Sequence, residues 1–396
     1  MLKMVDGSGV IGVDMICPLG GAVSTPQPPN FDKIEMEGVG SLTLPNSLKA
    51  PLERVELIGN STQGENPAPD NPQEIKSAGK HDEVSGKYLF DVKVTGKNLL
   101  NLQKEPDVKG IYQGWKVRDG KKTIVLSIKD KGNNVDITKC SIGVSGNGIN
   151  PNDGLGWIVQ DGTILRSEIK TTNPYVTIYP TNETAVQKFL DRFEIQVEYG
   201  NNATNYEPYT EQFAKIALDE PLRGIGDYKD TITKDGVVLK IAPYEVNLND
   251  LRDGGYEKTN TVMFSVKVQN KTVGYASSKP SILCNILPDC ALQMSNIYNN
   301  DKECIAVGGG IVLFRVNKSR LKDISSFEAT KQSFIELMAD KKMIVEYALE
   351  TPVTEPLPES VQQQLQALHS ENGTTHVFVD SGEVPCGIKL TYRKEK

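Results

Sequence analysis

Alternation of apolar and polar residues is the feature that most constrains the fold of this chain. In the stretch KYLFDVKVTGK, from Lys87 to Lys97, the apolar residues Phe90, Val92 and Val94 are separated by single polar residues. A period of two places such residues on one face of a β-strand, because successive side chains of a strand point to opposite faces. The pattern recurs along the chain while helical periodicity is scarce, so the sequence predicts a mainly β protein.

Two phrases each occur twice, far apart in the chain. FxVKVxxK runs over 90–97 and 264–271, and VEY followed after seven residues by EPxxE runs over 197–211 and 345–359. A short helical stretch precedes each VEY. The same elements in the same order indicate an internal duplication, which predicts two related β-sandwich domains in tandem.

The predicted sandwiches divide the chain into five segments. The first contains short strand-like runs and a passage rich in Pro and Asn, and the last offers one helix and two alternating strands. The segments are 1–86, a β-rich N-terminal region with its linker; 87–212, sandwich 1; 213–255, a connector with a β-hairpin; 256–359, sandwich 2; and 360–396, a short helix and a β-hairpin.

Asp-Gly pairs between strand-like flanks predict hairpins, because type I′ turns need positive φ at both central residues. Such pairs lie at 119–120, 161–162 and 235–236, and the first two share the phrase GWxVxDG. The sequence therefore predicts two hairpins that each carry a tryptophan, Trp115 or Trp157, just before the turn.

One helical stretch, SSFEATKQSFIELMADK, has clear boundaries and a clear apolar face. Ser325 and Glu328 have the spacing of a capping box. Phe327, Phe334 and Met338 fall on one stripe of the helix. The stretch predicts a helix that Ser325 caps and that packs against the second sandwich.

Charge and hydropathy exclude two classes of partner. The chain of 396 residues has a net charge of -7 and a pI near 5.3, and without a basic stripe it is not expected to bind nucleic acid. No apolar run approaches the roughly 18 residues that a membrane span needs. Asp6 and Asp14 interrupt the N-terminal apolar residues, so no secretory signal is predicted. We therefore expect folding in a cytoplasm, no membrane insertion, and six free, mostly buried cysteines.

The stretch EPLRGIGDYKD, from Glu220 to Asp230, is the candidate for a phosphate-binding loop. It matches neither GxxxxGK[ST] nor GxGxxG, and the strand-turn-strand pattern after it offers no helix N-terminus to hold an anion. We therefore interpret it as a turn that leads out of sandwich 1, where Gly224 and Gly226 supply backbone freedom.

No catalytic constellation is apparent in the sequence. The three histidines, His81, His369 and His376, are expected at the surface. The cysteine spacing fits no common zinc site. The sequence therefore predicts a non-enzyme with no catalytic residues, no metal and no cofactor.

The two tryptophans are the candidate carbohydrate-binding residues. An exposed Trp115 or Trp157 on a β-sandwich could stack on the apolar face of a sugar ring, whereas a buried one would pack in a core. Both alternatives stay open for each residue, and core packing is favoured.

Five phrases together resemble a family of tail structural proteins from bacteriophages of Gram-positive hosts. The resemblance covers Glu53 to Pro358. Members of the family are minor structural, tail-fibre or receptor-binding proteins and occur also in phage-tail-like bacteriocin particles. The resemblance implies jelly-roll sandwiches similar to carbohydrate-binding modules, an N-terminal attachment region and no catalytic residues. The phrases are IGNSTQGENPAPDNPQEIKSAGK from Ile58, GKNLLNL from Gly96, IQVEYGNNATNYEPYTEQ from Ile195, LDEPLRGIGDYKD from Leu218 and VEYALETPVTEPLP from Val345.

The residues and the resemblance together lead us to expect a non-enzymatic component of a baseplate or tail fibre that mediates or supports adhesion to a host-surface glycan. Its expected partners are other tail or baseplate proteins, the glycan, and further copies of itself in a homotrimer. Its expected location is the virion tail, after assembly in the host cytoplasm. Two alternatives stay open: a purely architectural virion protein and a glycan-cleaving tail enzyme.

Overall fold

The computed structural model of the chain is mainly β, as the alternation predicts. Among the described residues, no helix is long and apolar enough to cross a membrane. At 5–6, 9–10, 140, 154–158, 164–168, 184 and 294–295 the backbone alone is described. The described residues are 5–6, 9–10, 30–117, 123–132, 140–145, 149, 154–158, 164–168, 175–180, 184–273, 279–290 and 294–396.

The elements are numbered in chain order. The helices are α1 Thr184–Arg192, α2 Met294–Asn299, α3 Phe327–Met338 and α4 Glu359–Ala367. The strands are β1 Val5–Asp6, β2 Gly9–Val10, β3 Phe31–Val39, β4 Ser41–Ser47, β5 Ala50–Pro51, β6 Arg54–Ile58, β7 Ser61–Gln63, β8 Ile75–Ser77, β9 Lys80–Asp82, β10 Lys87–Thr95, β11 Asp107–Lys109, β12 Tyr112–Lys116, β13 Thr123–Asp130, β14 Cys140–Ser145, β15 Gly154–Ile158, β16 Ile164–Glu168, β17 Tyr175–Pro180, β18 Phe193–Tyr199, β19 Glu211–Leu218, β20 Gly224–Ile225, β21 Tyr228–Lys229, β22 Thr231–Ile232, β23 Val237–Glu245, β24 Arg252–Asp253, β25 Thr261–Lys267, β26 Ile282–Cys284, β27 Cys304–Gly308, β28 Ile311–Asn317, β29 Ile344–Glu355, β30 His369–Ser370, β31 Gly373–Asp380 and β32 Gly387–Glu395.

The largest sheet of the described residues has twelve antiparallel strands. Its order is β19-β10-β31-β4-β32-β6-β22-β23-β29-β26, with β3 beside β32 and β9 beside β10. The sheet folds back on itself, because β3 and β4 are consecutive across Gly40 yet pair mainly with different strands, β3 with β32 and β4 with β31. Gly40 has a φ of 72°, which a residue without a Cβ adopts at little cost.

The two parts of this sheet enclose the first hydrophobic core, core 1. Phe90, Val92 and Val94 of β10 are fully buried there, which confirms the alternating face predicted from the sequence. Ile388 and Leu390 of β32 belong to the same core. Core 1 thus combines chain segments from before, between and after the predicted sandwiches. We call the strands around it, β3 to β10, β19 to β23, β31 and β32, together with α4, the frame.

The C-terminal segment packs into the frame. α4 buries Val361 and Leu365 in core 1, and β31 and β32 follow where alternating strands are predicted. The predicted C-terminal hairpin is wrong, since β31 pairs with β10 and β4 while β32 pairs with β3, β6 and β4. The two strands bury their apolar faces in core 1 from opposite parts of the folded sheet, and this burial decides the pairing.

The first unit, residues 96–210, lies between β10 and β19. It contains a five-stranded sheet, β11-β12-β17-β14-β15, and a three-stranded sheet, β16-β13-β18. Val176 and Ile178 of β17 share core 2 with Ile124 and Leu126 of β13 and with the inner face of α1. The two sheets are therefore held together by one hydrophobic core.

The second unit, residues 246–355, follows β23. Its four-stranded sheet, β24-β25-β28-β27, shares core 3 with β23, β26 and β29 from the end of the large sheet. At the centre of core 3, the rings of Phe264, Phe314 and Phe334 lie 5.3 to 5.6 Å apart. Phe334 and Met338 belong to α3 and are fully buried, so the predicted apolar stripe of this helix faces core 3.

The two units follow the same path. In each unit an edge strand, β11 or β24, pairs with the next strand along the chain, β12 or β25. That strand pairs with the strand that precedes the helix, β17 or β28. The strand before the helix also pairs with a fourth strand, β14 or β27. The VEY strands β18 and β29 directly follow α1 and α3, respectively. Each pairs with a further strand of its unit, β18 with β13 and β29 with β26. Ahead of both edge strands an asparagine, Asn98 or Asn247, accepts the N–H group two residues on.

The middle glutamate of each VEY phrase is buried and accepts hydrogen bonds. Glu198 accepts from the N–H and the hydroxyl group of Thr204, both at 2.8 Å. Glu346 accepts from Ser61 Oγ and from Arg223 Nε, both at 3.0 Å. A buried carboxylate is costly unless its oxygens are bonded. The repeated glutamate therefore ties each VEY strand to the chain segment beside it.

The GWxVxDG phrases mark crossovers between sheets. β12 lies in the five-stranded sheet and β13 in the three-stranded sheet, and β15 and β16 are divided in the same way. The two predicted hairpins are therefore wrong, while the turns at 119–120 and 161–162 lie outside the described residues. An Asp-Gly pair indicates local backbone geometry, but the sheet that a strand joins depends on where its apolar face is buried. The third hairpin is confirmed, with β22 and β23 joined around 235–236.

His376 is a buried residue, contrary to the surface position expected for it. It is 2% exposed, and its Nδ1 lies 3.2 Å from Thr43 Oγ1 in a hydrogen bond. Its ring meets the ring of Tyr199 edge to face at 5.2 Å. Because Tyr199 belongs to the first unit, this contact joins that unit to the frame.

A buried ionic network joins the frame to the second unit, and the stretch EPLRGIGDYKD supplies it. The stretch contains a small hairpin of β20 and β21, with Gly226 at a φ of 53° in its turn. Just before the hairpin, Arg223 donates from Nε to Glu346 Oε1 at 3.0 Å and from Nη2 to Glu220 Oε2 at 2.6 Å. The side chains of Arg223 and Glu346 are only 9% and 8% exposed.

Asp230, which lies in the frame, belongs to the same network. It is fully buried, and its carboxylate accepts the N–H groups of Arg223, Lys240 and Ile241 at 2.9, 2.7 and 3.0 Å. The register of β23 shifts between Leu239 and Ile241, so Asp230 binds N–H groups beside an irregularity in the ladder. Burial raises the pKa of Asp230 above its usual value, although the three N–H groups act in the opposite direction.

Arg223→Met removes the cation of the buried pair and leaves Glu346 without a charged partner. We expect the free energy of unfolding, measured by urea denaturation, to fall by about 3 to 5 kcal/mol. The double variant Arg223→Met/Glu346→Leu should recover most of the loss, because it buries no unpaired charge. Arg54→Met, which breaks the ion pairs of an exposed arginine with Glu35 and Glu56, is the control and should cost less than about 1 kcal/mol. An Arg223→Met variant as stable as this control would show that the pair does not hold the two parts together.

Candidate functional site

The turn that joins β24 to β25 presents an exposed tyrosine. Tyr256 is 66% exposed and has a φ of 53°, a left-handed conformation that bulky residues rarely adopt. It follows Gly255, whose φ is 66°. Residues persist in such strained conformations where the surrounding contacts hold them, and these positions cluster at binding sites. The turn is therefore a candidate position for binding a ligand.

A buried arginine holds this turn from below. Arg315 of β28 is fully buried and donates to the carbonyl oxygens of Tyr256 and Ile297, at 2.7 and 2.6 Å, and to Thr261 Oγ1 at 3.1 Å. Burial lowers the pKa of the guanidinium, and the Asp301 carboxylate opposes this effect. The usual pKa of arginine is so high that Arg315 keeps its charge. Since a buried cation requires bonded N–H groups, Arg315 fixes three chain segments at once.

Tyr298 and Asp301 complete the support. The ring of Tyr298, on α2, meets the ring of Tyr256 edge to face at 4.8 Å. Asp301 accepts hydrogen bonds from N and Nδ2 of Asn260, both at 2.9 Å, and from Thr261 Oγ1 at 3.1 Å. Burial raises the pKa of Asp301, but these hydrogen bonds outweigh burial and leave the pKa below its usual value. The carboxylate thus stays charged and ties the end of the turn to the segment after α2.

A groove of about 290 Å³ opens beside Tyr256. Its lining includes Ile324, which is 45% exposed, and the polar residues Asp253, Glu257 and Ser325. An aromatic ring with carboxylate and hydroxyl groups around it suits a sugar, whose apolar face stacks on the ring while its hydroxyl groups bond to the polar side chains. The composition of the groove therefore favours a carbohydrate ligand.

The start of α3 forms one wall of the groove. Ser326 is the N-cap residue: its Oγ accepts the N–H of Ala329 at 3.2 Å, and its carbonyl oxygen accepts the hydroxyl group of Thr330 at 2.7 Å. The cap predicted at Ser325 is therefore wrong by one residue. Ser325 instead donates its N–H to Asp323 Oδ1 at 2.8 Å, in the turn before the helix.

A disulfide bond supports the α2 side of the site. Cys290 and Cys304 flank α2, and their Cα atoms are 5.1 Å apart in the disulfide. The free thiols expected from the sequence are confirmed for Cys284 and Cys386, both buried, and are wrong for this pair. The N–H of Cys290 donates to the carbonyl oxygen of Ile305 at 2.8 Å. This backbone contact brings the two cysteines together, and the sequence spacing does not reveal it.

Asp289 lies next to this disulfide and is partly buried. Burial raises its pKa to about 6, against a smaller lowering by the N–H of Cys290. The folded chain therefore binds a proton at Asp289 more tightly than the unfolded chain, in which the usual value of 3.8 applies. The stability that this proton contributes is fully present below about pH 4 and is lost as the pH rises through about 6.

Asp289→Asn removes this titration. We expect the variant to melt at a higher temperature than the parent at pH 7, because it does not bury a charge there. The fall in melting temperature between about pH 4 and 6 should be smaller in the variant than in the parent. Asp340→Asn, at an exposed position, is the matched control and should follow the parent profile. Superimposable profiles for Asp289→Asn and the parent would contradict the assignment.

The structure places one of the two candidate tryptophans in a core. Trp115 is 4% exposed, belongs to core 2, and donates from Nε1 to the carbonyl oxygen of Lys104 at 3.0 Å. Its burial favours core packing, and sugar stacking on Trp115 stays a prediction. Trp157 pairs through its backbone with Gly143, and the prediction for its side chain lies outside the described residues.

Sequence reasoning missed Tyr256 and Arg315, although each carries a signal. Arg315 interrupts the apolar run IVLFRVN, and a charged residue inside a buried strand needs bonded partners. Two glycines precede Tyr256, which is typical of a turn. Neither signal names the partners, because those lie on the β24–β25 turn and on α2 and meet only in the folded chain.

A larger cleft, of about 680 Å³, lies against the buried network of the frame. Lys76, Lys80 and His81 line it together with Arg223 and Glu346. The charges are mixed, and the two buried members bond to each other, so their charges are already compensated. We therefore assign this cleft to the junction between the frame and the second unit.

Comparison with known proteins adds no relative: no family model, no curated protein and no solved structure matches this chain. The function is therefore inferred from the residues and their geometry.

Proposed function

We propose that this chain is a non-enzymatic tail component of a bacteriophage or a phage-tail-like particle, and that it adheres to a host-surface glycan. One observation carries the adhesion: the exposed ring of Tyr256, which the buried Arg315 holds beside a polar groove. The assignment to a tail particle rests on the phrases between Glu53 and Pro358 that resemble phage tail proteins.

The groove binds a sugar by stacking and by hydrogen bonds. The apolar face of the sugar ring packs on Tyr256, and its hydroxyl groups donate to the carboxylates of Asp253 and Glu257. Ile324 contacts the apolar parts of the ligand at the rim. Because Arg315 already holds the turn, little conformational entropy is lost when the ligand binds.

Both units are jelly-roll β-sandwiches similar to carbohydrate-binding modules. The shared cores between facing sheets and the common strand order of the two units support this fold. Loops at the ends of sheets carry the binding residues of such scaffolds, since the sheets supply rigid support. Tyr256 lies on a loop of this kind.

In the particle, the chain forms a homotrimer in the virion tail together with other tail or baseplate proteins, after assembly in the host cytoplasm. A groove of this size binds a sugar weakly. Several copies on one particle raise the effective concentration of sites and so strengthen attachment to a repeating surface polymer.

Tyr256→Ala should weaken glycan binding at least about tenfold, which corresponds to about 1.4 kcal/mol. The melting temperature should fall only slightly, because the residue is 66% exposed and the substitution removes one edge contact with Tyr298 but leaves no buried cavity. Binding is measured as retention of labelled protein on a panel of purified cell-wall polysaccharides from Gram-positive bacteria. The polysaccharide that retains the parent best becomes the probe for all later measurements.

Tyr256→Phe is the matched control, since it keeps the ring and should keep most of the binding. Equal retention of parent and Tyr256→Ala would show that the ligand binds elsewhere. A parent that no polysaccharide in the panel retains would contradict the adhesion, and antibody labelling of the tail shaft would then favour the architectural alternative. Steady release of reducing ends from the probe polysaccharide would favour a glycan-cleaving enzyme.

A further inference from the structure

The turn between β11 and β12 in the first unit is the counterpart of the turn that carries Tyr256. Each turn joins an edge strand to its neighbour in the sheet, β11 to β12 or β24 to β25. That neighbour pairs with the strand that precedes the helix, β17 or β28. Both contain a glycine in the left-handed region, Gly110 at 64° and Gly255 at 66°. In both, the residue after the glycine is large and exposed: Ile111 is 36% and Tyr256 is 66% exposed.

The side chains around the two turns also correspond. An aspartate lies on each edge strand before the glycine, Asp107 on β11 and Asp253 on β24. A pair of tyrosines adjoins each turn, with the rings of Tyr112 and Tyr179 5.4 Å apart beside the first. The second turn has the Tyr256 ring pair described above. An acid, a left-handed glycine, an exposed large residue and a tyrosine pair therefore occur at both turns, and at the second turn Tyr256 is both the exposed residue and a member of the pair.

The first turn has the exposure and polarity that a ligand needs. Val108 is 65% exposed and adds apolar surface next to Ile111. The hydroxyl group of Tyr175 donates to Asp107 Oδ2 and holds the carboxylate in place. No described residue donates to Asp107 Oδ1, which stays available for a sugar hydroxyl group. A fixed acceptor thus lies beside an exposed apolar surface, as at the Tyr256 groove.

We propose that the β11–β12 turn is a second glycan-binding site, so that each chain holds two segments of the same polysaccharide. The proposal rests on the function proposed for the Tyr256 turn, which supplies the class of ligand. The apolar face of a neutral sugar ring packs on Ile111 and Tyr112, and its hydroxyl groups donate to Asp107. The first site presents an aliphatic side chain where the second presents an aromatic ring, so it binds the sugar more weakly.

Two sites on one chain change how the protein binds a polymer. Once one site is occupied, the other meets the next repeat of the polysaccharide at a high effective concentration, and overall binding exceeds that of either site. A soluble oligosaccharide of one repeat is expected to occupy each site separately, so its stoichiometry counts the sites. Polymer retention and oligosaccharide stoichiometry therefore measure different properties of the same chain.

The test uses the full chain, the probe polysaccharide and the single-repeat oligosaccharide released from it. Equilibrium dialysis at saturating oligosaccharide should give two bound per chain for the parent, one for Ile111→Asp, one for Tyr256→Ala and none for the double variant. Retention on immobilised polysaccharide should fall at least about tenfold in each single variant, because each loses the bridging. Val84→Asp adds the same charge at a position that is 95% exposed and distant in sequence, and should match the parent in both assays.

The outcomes separate this proposal from the proposed function. One oligosaccharide per parent chain, with Ile111→Asp unchanged, would overturn the second site and leave adhesion through Tyr256 intact. Absence of binding by the parent would overturn the proposed function and the second site together. Val108→Asp, at a more exposed position, is measured in parallel, so that a folding defect in Ile111→Asp does not decide the result.

Discussion

The buried network of Arg223, Glu346 and Asp230 is the interaction on which the arrangement of this protein depends. Asp230 binds N–H groups of β23 beside the irregularity in its ladder, and Glu346 lies on β29, the neighbour of β23 that also belongs to the second unit. A buried ion pair adds little net stability, since desolvation offsets the attraction, but the loss of one partner is costly. We infer that the network favours this position of the second unit on the frame, because a position that broke the pair would leave a buried charge without its partner.

A second buried arginine plays a related part inside the second unit. Arg315 bonds to carbonyl oxygens of the β24–β25 turn and of α2, where Arg223 bonds to carboxylates. In both places the arrangement of the surrounding chain segments brings hydrogen-bond acceptors to a buried cation. At Arg315 that arrangement exposes an aromatic ring in a strained conformation, so the cost of the strain is met by bonds beneath the surface. The candidate site therefore depends on Arg315, which is buried beneath it and is not expected to contact a ligand.

Much of the local structure could be predicted from the sequence. The alternation around Phe90 gives the buried face of β10, and the stripe of Phe334 and Met338 gives the buried face of α3. The helix before each VEY strand is found where the repeated phrases place it. The pairing of strands could not be predicted in the same way: β31 and β32 are close in sequence but belong to different parts of the sheet. For the candidate site, the tryptophans attracted attention by residue type, whereas Tyr256 becomes prominent only through Arg315 beneath it.

The sequence by itself determined which faces of β10 and α3 are apolar, where α1, α3 and α4 lie, and that the same elements occur twice. These properties follow from spacing between near neighbours, because a period of two or of 3.6 residues places side chains on one face whatever the rest of the chain does. Only the tertiary structure decided which strands pair, which cysteines bond, and which partners meet Arg223 and Arg315. Those contacts join residues far apart in the chain, and their formation costs the entropy of closing long loops, which the spacing between near neighbours does not reveal.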